Sequence, residues 1–257
     1  MDIAPTLNAA ETSSSLGTHS FRWGPWATLV WGVPLTLTAI LFQSLGALGF
    51  VKWWRFVHPG EPIALASLAS HGAVLAFALA ASAPLVLALL GYAVRLSGFS
   101  LSEYLALKWP RWRDIGVGFA ALAAVLFGVG LIAGIAGQES PEFMAETYNT
   151  ARAAGMLPLL FVSFVLLAPL QEELLFRGFF FRGFAPALGV WPAIVATSAA
   201  WALTHVQYQW FFMGEIFALG VVLGWLRARS GSTILTIALH ATINGVALLE
   251  VGFLAES

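Results

Sequence analysis

The chain has 257 residues, of which 59% are hydrophobic and 10% charged, and its mean hydropathy is +0.84. A water-soluble fold of this composition would aggregate, so we expect a protein embedded in a lipid bilayer. The formal net charge of -1 offers no basic surface for nucleic acid. The absence of cysteine excludes disulfides, a thiol nucleophile and thiolate metal ligands.

Residues 1–24 are predicted to form a flexible N-terminal tail. They are rich in Ser, Thr and Ala, lack an apolar core and carry Asp2 near the start where a signal peptide would be basic, so we do not expect a cleavable signal. Trp23 and Trp26 lie where an aromatic belt would meet the first membrane span. Residues 25–257 are then expected to form a single transmembrane bundle.

Seven apolar stretches follow, and a bilayer crossing takes about 20 residues. Their predicted ranges are 27–51, 63–94, 115–137, 156–184, 191–206, 210–226 and 234–253. The last three have shorter uninterrupted apolar windows, and the second could be broken near Pro84. We therefore predict an all-α, polytopic membrane bundle of seven to eight helices.

Lys and Arg residues segregate under this seven-span arrangement, and short cytoplasmic loops are enriched in them. Lys52, Arg55 and Arg152 fall on one side. The other side, which is the side of the N-terminus, holds Arg22, Arg95, Lys108, Arg111, Arg113, Arg177, Arg182, Arg227 and Arg229. The asymmetry predicts a multi-pass protein of the cell membrane with a cytoplasmic N-terminus and, for seven spans, an outward C-terminus.

Glu172 and Glu173 lie side by side in the apolar run 156–181. Carboxylates inside a membrane helix are costly, which makes them functional candidates. Neighbours on a helix point about 100° apart, so the two acids should have different partners. Glu173 and Arg177 stand at i and i+4 in the favourable order for an ion pair, which suggests structural roles. Glu172 is left without a local cation and is our candidate general base.

His240 and Asn244 also stand at i and i+4, so an imidazole and a carboxamide project from one helix face. A lone buried histidine is more often a core residue than a catalyst, but here an amide accompanies it. At 1.5 Å per residue, Glu172 and Asn244 lie roughly 18 Å from the cytoplasmic ends of their spans and His240 roughly 12 Å. His205 lies at roughly 27 Å, which makes it the weaker geometric candidate.

Three short motifs in this order resemble those of a known family. EELLFR at 172–177 resembles the EExxxR signature of the CPBP (ABI) membrane proteases, which include CAAX prenyl endopeptidases of the Rce1 type. WALTH at 201–205 resembles their FxxxH element, HATIN at 240–244 their HxxxN element, and RSGS at 229–232 their usual Arg-Thr-Gly-Ser turn. The resemblance covers residues 157–248 and departs at Trp201, where the family usually has Phe.

The resemblance implies an intramembrane glutamic endopeptidase without a cofactor or resident metal. In it, Glu172 and His205 would activate a water molecule, while His240 and Asn244 would polarise the scissile carbonyl and stabilise the oxyanion. A carboxamide and a ring N–H are suitable donors for that charge. The implied substrate is a membrane protein or lipidated peptide, with its identity and the oligomeric state of the chain left open.

Two alternatives remain at this stage. Glu172, His205 and His240 together form a possible zinc set, which would make the chain a membrane metalloprotease. The same polar groups could instead bind a ligand or partner helix without turnover, as in an immunity-type scaffold. An aspartyl dyad is excluded because Asp2 and Asp114 lie outside the spans, and no GxSxG or HExxH motif occurs.

Overall fold

A computed structural model describes residues 23–138 and 141–255. Residues 1–22, which make up most of the predicted tail, lie outside the described residues. Within the described residues the chain is α-helical and contains no strand. We number the helices α1 Pro25–Val57, α2 Gly72–Leu96, α3 Leu101–Tyr104, α4 Trp112–Ala136, α5 Glu142–Ala153, α6 Leu157–Leu188, α7 Val190–Leu203, α8 Trp210–Ser230 and α9 Thr233–Leu254.

The prediction of an all-α polytopic membrane bundle is confirmed. Six of the described helices are long and apolar enough to cross a membrane, namely α1, α2, α4, α6, α8 and α9. The helix α7 is the shorter counterpart of the fifth predicted span. Its 14 residues extend about 21 Å, which is less than the roughly 30 Å of a hydrocarbon core. The possible break in the second stretch is absent, because α2 continues through Pro84.

The six long helices and the shorter α7 alternate in direction along the chain and give the bundle two ends. We call the end at which α1, α4, α7 and α9 begin the N-terminal end, and the end at which α2, α6 and α8 begin the opposite end. Close approaches set the depth of α6 against α1: a Cβ on Gly183 would lie 1.9 Å from Thr28 Oγ1, and one on Gly32 would lie 2.2 Å from the Phe180 ring. Glu172 is therefore level with the middle of α1.

The turn between α8 and α9 is held against the segment that follows α3. Ser232 Oγ donates to the Lys108 carbonyl oxygen, and Thr233 Oγ1 donates to the Leu105 carbonyl oxygen at 2.6 Å. Arg227 Nε donates to Thr233 Oγ1 at 3.0 Å. These contacts fix the start of α9 and hence the depth of the polar residues further along it.

The helix α5 lies across the opposite end of the bundle. Its Thr147 Oγ1 donates to the Ser70 carbonyl oxygen at 3.1 Å, and the amide of Gly72 donates to Thr150 Oγ1 at 2.8 Å. A Cβ on Gly72 would lie 1.9 Å from the Thr147 carbonyl oxygen, so the absence of a side chain is what permits this approach. These contacts fasten α5 to the start of α2.

Candidate active site

The two adjacent glutamates lie in a short regular segment of α6, Ala168–Glu173, with a widened π-helical segment on each side. The π segments are Val162–Leu167 and Leu174–Phe180. Such turns occur mostly as single interruptions of α-helices and are frequent at functional sites. They change the direction in which the side chains before and after the glutamates point, and this cannot be read from a regular 3.6-residue period.

Glu173 belongs to a buried cluster with Arg177 and His240. Arg177 Nη1 lies 2.7 Å from Glu173 Oε1, and both side chains are 0% exposed. His240 Nδ1 lies 3.0 Å from the same oxygen, and Arg177 Nη2 donates to the Gly220 carbonyl oxygen at 3.3 Å. The predicted Glu173–Arg177 ion pair is thus present. A buried carboxylate must be paired and hydrogen-bonded, and the groups of this cluster come from three helices. The cluster therefore joins α6 to α8 and α9.

Glu172 belongs to a second, partly exposed cluster with Trp201 and His205 of the α7 segment. The indole Nε1 of Trp201 donates to Glu172 Oε2 at 2.6 Å, and His205 Nε2 lies 4.0 Å from that oxygen. The side chains of Glu172 and His205 are 25% and 19% exposed. Of the two glutamates, Glu172 is therefore the one that remains accessible.

The ring of Trp201 connects the two clusters. It packs edge-on against His205 and His240, with ring centroids 5.3 Å and 5.1 Å apart. The guanidinium carbon of Arg177 lies 4.4 Å from its centroid, a cation–π contact. The indole is buried and therefore fixes the spacing between the accessible carboxylate and the buried ion pair.

Asn244 has no hydrogen bond to either cluster among the described residues. Its Nδ2 donates at 2.8 Å to the carbonyl oxygen of Phe164, in the first π segment of α6. A carboxamide nitrogen carries two hydrogens, so one remains for another acceptor.

Several expectations from the sequence need correction. His205, judged the weaker geometric candidate, is the histidine nearest Glu172, because α7 ends at Leu203 instead of continuing past residue 205. As predicted, no Lys or Arg forms an ion pair with Glu172 among the described residues, but the indole of Trp201 donates a hydrogen bond to it, which the sequence does not anticipate. His240 contacts Glu173 and not Glu172.

The zinc alternative is not supported by the donor set. Glu172 lies near His205, whereas His240 binds the neighbouring carboxylate. Among the described residues, no three His, Asp or Glu side chains are arranged to hold a metal ion. The proposed set of Glu172, His205 and His240 therefore does not converge on one point.

Two cavities flank the segment that carries His205. An apolar groove of about 270 Å³ lies between α1, α6 and α7 and reaches Thr204, whose hydroxyl oxygen is 3.2 Å from His205 Nδ1. A polar cavity of about 360 Å³ lies below α5 and is lined by Ser70, Glu142, Glu146, Gln207, Tyr208 and Gln209, among others. In the sequence, His205 therefore lies between residues that line the apolar groove and residues that line the polar cavity.

Sequence reasoning missed three contributors to this site. In the sequence, Trp201 is notable only as a departure from the usual Phe, whereas its indole N–H binds Glu172. Gly220 supplies a carbonyl to Arg177 and leaves room for Trp201, since a Cβ there would lie 3.1 Å from the indole. Tyr208 has its ring centroid 6.2 Å from that of His205. The sequence offered one indication that Tyr208 lies near the site, namely its position three residues after His205.

The fold and site define a multi-pass helical membrane protein with a buried ion pair beside an accessible carboxylate. Residues 154–246 match the family model described as Type II CAAX prenyl endopeptidase Rce1-like. This segment is therefore similar to that family, which the three motifs also resemble, and it contains Glu172, Glu173, Arg177, His205, His240 and Asn244.

Two curated proteins are similar to the chain over part of its length. An uncharacterized 24.3 kDa protein of Escherichia coli is 30% identical over 142 residues, which make up 53% of this chain and 65% of that protein. The UPF0177 protein YxdF of Lactococcus lactis subsp. lactis (strain IL1403) is 27% identical over 92 residues, 35% of this chain and 50% of that protein. The chain thus covers between half and two thirds of each of these relatives. No solved structure matches it.

Proposed function

We propose that the chain is an intramembrane endopeptidase that hydrolyses a peptide bond in a membrane-associated or lipidated substrate. The family description of the matched segment, a prenyl endopeptidase, supports hydrolysis of peptide bonds. The accessible carboxylate with a histidine beside it, at mid-depth among apolar helices, supports a glutamate-based reaction inside the bilayer.

The hydrogen bonds of His205 indicate which ring nitrogen can accept a proton. Nδ1 lies 2.9 Å from the carbonyl oxygen of Trp201, which can only accept. We therefore assign the hydrogen of the neutral ring to Nδ1, which leaves a lone pair on Nε2 facing Glu172. The second contact of Nδ1, with the Thr204 hydroxyl, is compatible with this tautomer because that hydroxyl oxygen can accept.

The observation that carries the proposal is the 4.0 Å separation between His205 Nε2 and Glu172 Oε2. Both atoms are acceptors in this assignment, and they are too far apart for a direct hydrogen bond. One water oxygen can lie about 2.8 Å from each and donate a hydrogen to each. The pair is therefore suited to bind and polarise a water molecule.

In the proposed reaction the water oxygen attacks the scissile carbonyl carbon while a proton passes to Glu172. The C–N bond then breaks, and Glu172 returns the proton to the departing amine. His205 orients the water and shares the positive charge that develops on it. The products are a new carboxyl group and a new amine, and Glu172 ends as it began.

We assign the stabilisation of the oxyanion to His240 and Asn244. The free N–H of Asn244 can donate to the developing charge. His240 uses Nδ1 toward Glu173, so Nε2 can donate only when the ring is an imidazolium. The Glu173 carboxylate, 3.0 Å from Nδ1, fixes the orientation of the ring, which gives the buried ion pair a part in the chemistry.

We also propose that the N-terminal end of the bundle faces the cytoplasm of the cell membrane. Arg95, Lys108, Arg111, Arg113, Arg182, Arg227 and Arg229 lie near that end, and Lys52, Arg55 and Arg152 near the other. Arg177 does not contribute to this count, because it is buried within the span α6, about two thirds of the way along it.

The test is cleavage of a membrane-peptide library by protein purified in detergent. Glu172→Gln keeps the shape of the side chain but cannot act as a base, so cleavage should fall by at least about 100-fold. The exposed Glu61→Gln is the matched control and should cleave as the wild type does. Each protein is assayed with and without a strong metal chelator.

Chelator-resistant cleavage that disappears in Glu172→Gln is the expected result. Loss of cleavage on chelation with recovery on added zinc would replace the proposal with a metalloprotease. Peptides bound with equal affinity and left intact by both wild type and Glu172→Gln would favour the non-catalytic scaffold instead.

A further inference from the structure

Tyr208 lies in the turn between α7 and α8, three residues after His205. Its hydroxyl donates to the sulfur of Met144 in α5 at 3.1 Å, and its ring packs edge-on against Phe143 with centroids 5.0 Å apart. The residue also lines the polar cavity beneath α5. Tyr208 therefore connects the segment that carries His205 to the helix that covers the cavity.

The phenol is close enough to the proposed catalytic groups to respond to their charge. Its ring centroid is 6.2 Å from that of His205. Burial, together with the negative charges of Glu172 and Glu215, raises the pKa of Tyr208. The hydroxyl thus keeps its proton in the working pH range and remains a hydrogen-bond donor.

The acceptor that this donor uses is a poor one. A thioether sulfur accepts hydrogen bonds weakly, whereas a peptide carbonyl oxygen accepts them well. Exchange of the Met144 sulfur for a carbonyl oxygen is therefore favourable whenever such an oxygen enters the cavity. The cavity's volume of about 360 Å³ falls within the roughly 300–1,000 Å³ typical of ligand pockets.

The position of the cavity indicates what would enter it. Its lining includes Gln207 and Tyr208, two and three residues after His205, and combines six residues with carboxylate, amide or hydroxyl groups with four apolar residues. The apolar groove is lined in part by Thr204, the residue before His205. A peptide bound across His205 would have its apolar part in the groove and its polar backbone against Tyr208.

We propose that Tyr208 is a substrate-binding residue, whose hydroxyl leaves the Met144 sulfur and donates to a backbone carbonyl oxygen of the peptide in the polar cavity. This inference rests on the proposed function for the identity of the ligand. It makes Met144 a competitor of the substrate for one donor, so the two side chains act on binding in opposite directions.

The experiment measures peptide affinity in the Glu172→Gln background, so that the readout does not depend on turnover. The probes are fluorescein-labelled peptides that join a polar to an apolar segment, in both orders, and binding is followed by fluorescence anisotropy in detergent. Tyr208→Phe, Met144→Leu and the double variant are compared. The lipid-exposed Tyr92→Phe is the matched control.

Tyr208→Phe should weaken binding about three- to tenfold, as expected for one neutral hydrogen bond. Met144→Leu should tighten binding, and it should have no effect once Tyr208 is Phe. Weaker or unchanged binding in Met144→Leu overturns the proposal, because a packing role predicts that both changes act in the same direction. Unchanged binding in Tyr208→Phe overturns it as well.

Cleavage by the protein with Glu172 intact is measured in parallel with the same variants. Opposite shifts in affinity without any cleavage would retain the role of Tyr208 and reject the peptidase. Cleavage with a KM that is indifferent to Tyr208 and Met144 would retain the peptidase and reject the role of Tyr208.

Discussion

Trp201 binds Glu172 through its indole N–H, at 2.6 Å from Oε2. The backbone carbonyl of the same residue lies 2.9 Å from Nδ1 of His205. One residue thus positions both groups to which we assign activation of water. Because the acceptor is a carboxylate, the hydrogen bond from the indole is charge-assisted and stronger than one between neutral groups.

Trp201→Phe should reduce kcat more than it affects folding. A phenylalanine keeps an aromatic ring between His205 and His240 but cannot donate to Glu172, so the carboxylate is no longer held in position. Hydrogen bonds to charged groups contribute about 1.5–3 kcal/mol, which corresponds to a loss of roughly 10- to 100-fold. Initial rates of peptide cleavage measure the effect.

The control for this change is Trp191→Phe, at the start of the same helix and exposed. Its kcat should match that of the wild type. If Trp201→Phe also cleaved at the wild-type rate, the indole would be a packing residue and Glu172 would be positioned by other means.

Arg177→Gln should destabilise the fold, because it leaves the Glu173 carboxylate buried without its cation. Breaking one side of a buried ion pair costs about 3–5 kcal/mol. Arg177→Lys should cost less but should not restore the wild type, because lysine lacks the planar guanidinium with which Arg177 both binds the Gly220 carbonyl oxygen and packs on Trp201. Thermal unfolding in detergent, followed by near-UV circular dichroism, measures the loss.

A Glu173→Gln/Arg177→Gln double variant should recover part of the stability that Arg177→Gln loses, because neither charge is then left alone. The exposed Arg113→Gln should unfold at the wild-type temperature. A double variant less stable than the sum of both single losses would argue against a buried pair as the source of the effect.

The sequence was informative about contacts within a helix. The spacing of Glu173 and Arg177 predicted their ion pair, and apolar runs located the long helices. Contacts between helices were less predictable. His240 shares an i and i+4 face with Asn244, yet His240 binds Glu173 while Asn244 binds a carbonyl in a π segment of α6. Regular helical geometry does not anticipate such widened turns.

The position of His205 shows the same limit for depth. Counting residues from the start of a continuous span placed it too far from Glu172. The chain instead leaves the helix after Leu203 and turns, which brings the imidazole to 4.0 Å from the carboxylate. The apolar pattern does not fix this end point to the residue, because apolar Val206 follows Thr204 and His205 and extends the predicted span beyond Leu203.

Gly220→Ala should reduce activity by displacing Trp201. A Cβ at this position would lie 2.9 Å from Ser198 Cβ and 3.1 Å from an indole carbon of Trp201. Both neighbours belong to α7, so the helix must shift and carry the indole away from Glu172. A displacement of about 1 Å can cost roughly 100-fold in rate.

Gly214→Ala is the matched control on the same helix, because a Cβ there meets nothing within 4 Å. Alanine should leave cleavage unchanged at that position. Equal activity in Gly220→Ala and Gly214→Ala would mean that α7 accommodates the extra carbon without moving the site.

Asn244→Asp tests the proposed oxyanion donor with a side chain of nearly the same size. A carboxylate cannot donate to the oxyanion or to the Phe164 carbonyl oxygen. Removal of one oxyanion donor typically costs about 100- to 1,000-fold in kcat, so we expect a loss in that range with little change in KM.

Asn244→Ala should show the same kcat loss without the added negative charge, and the exposed Thr242→Ala on the same helix should cleave normally. If Asn244 serves only to tether α9 to α6 through Phe164, both variants will instead unfold at lower temperature while each folded molecule cleaves at the wild-type rate. Measurement of kcat per folded molecule beside the unfolding temperature therefore distinguishes a donor to the transition state from a link between helices.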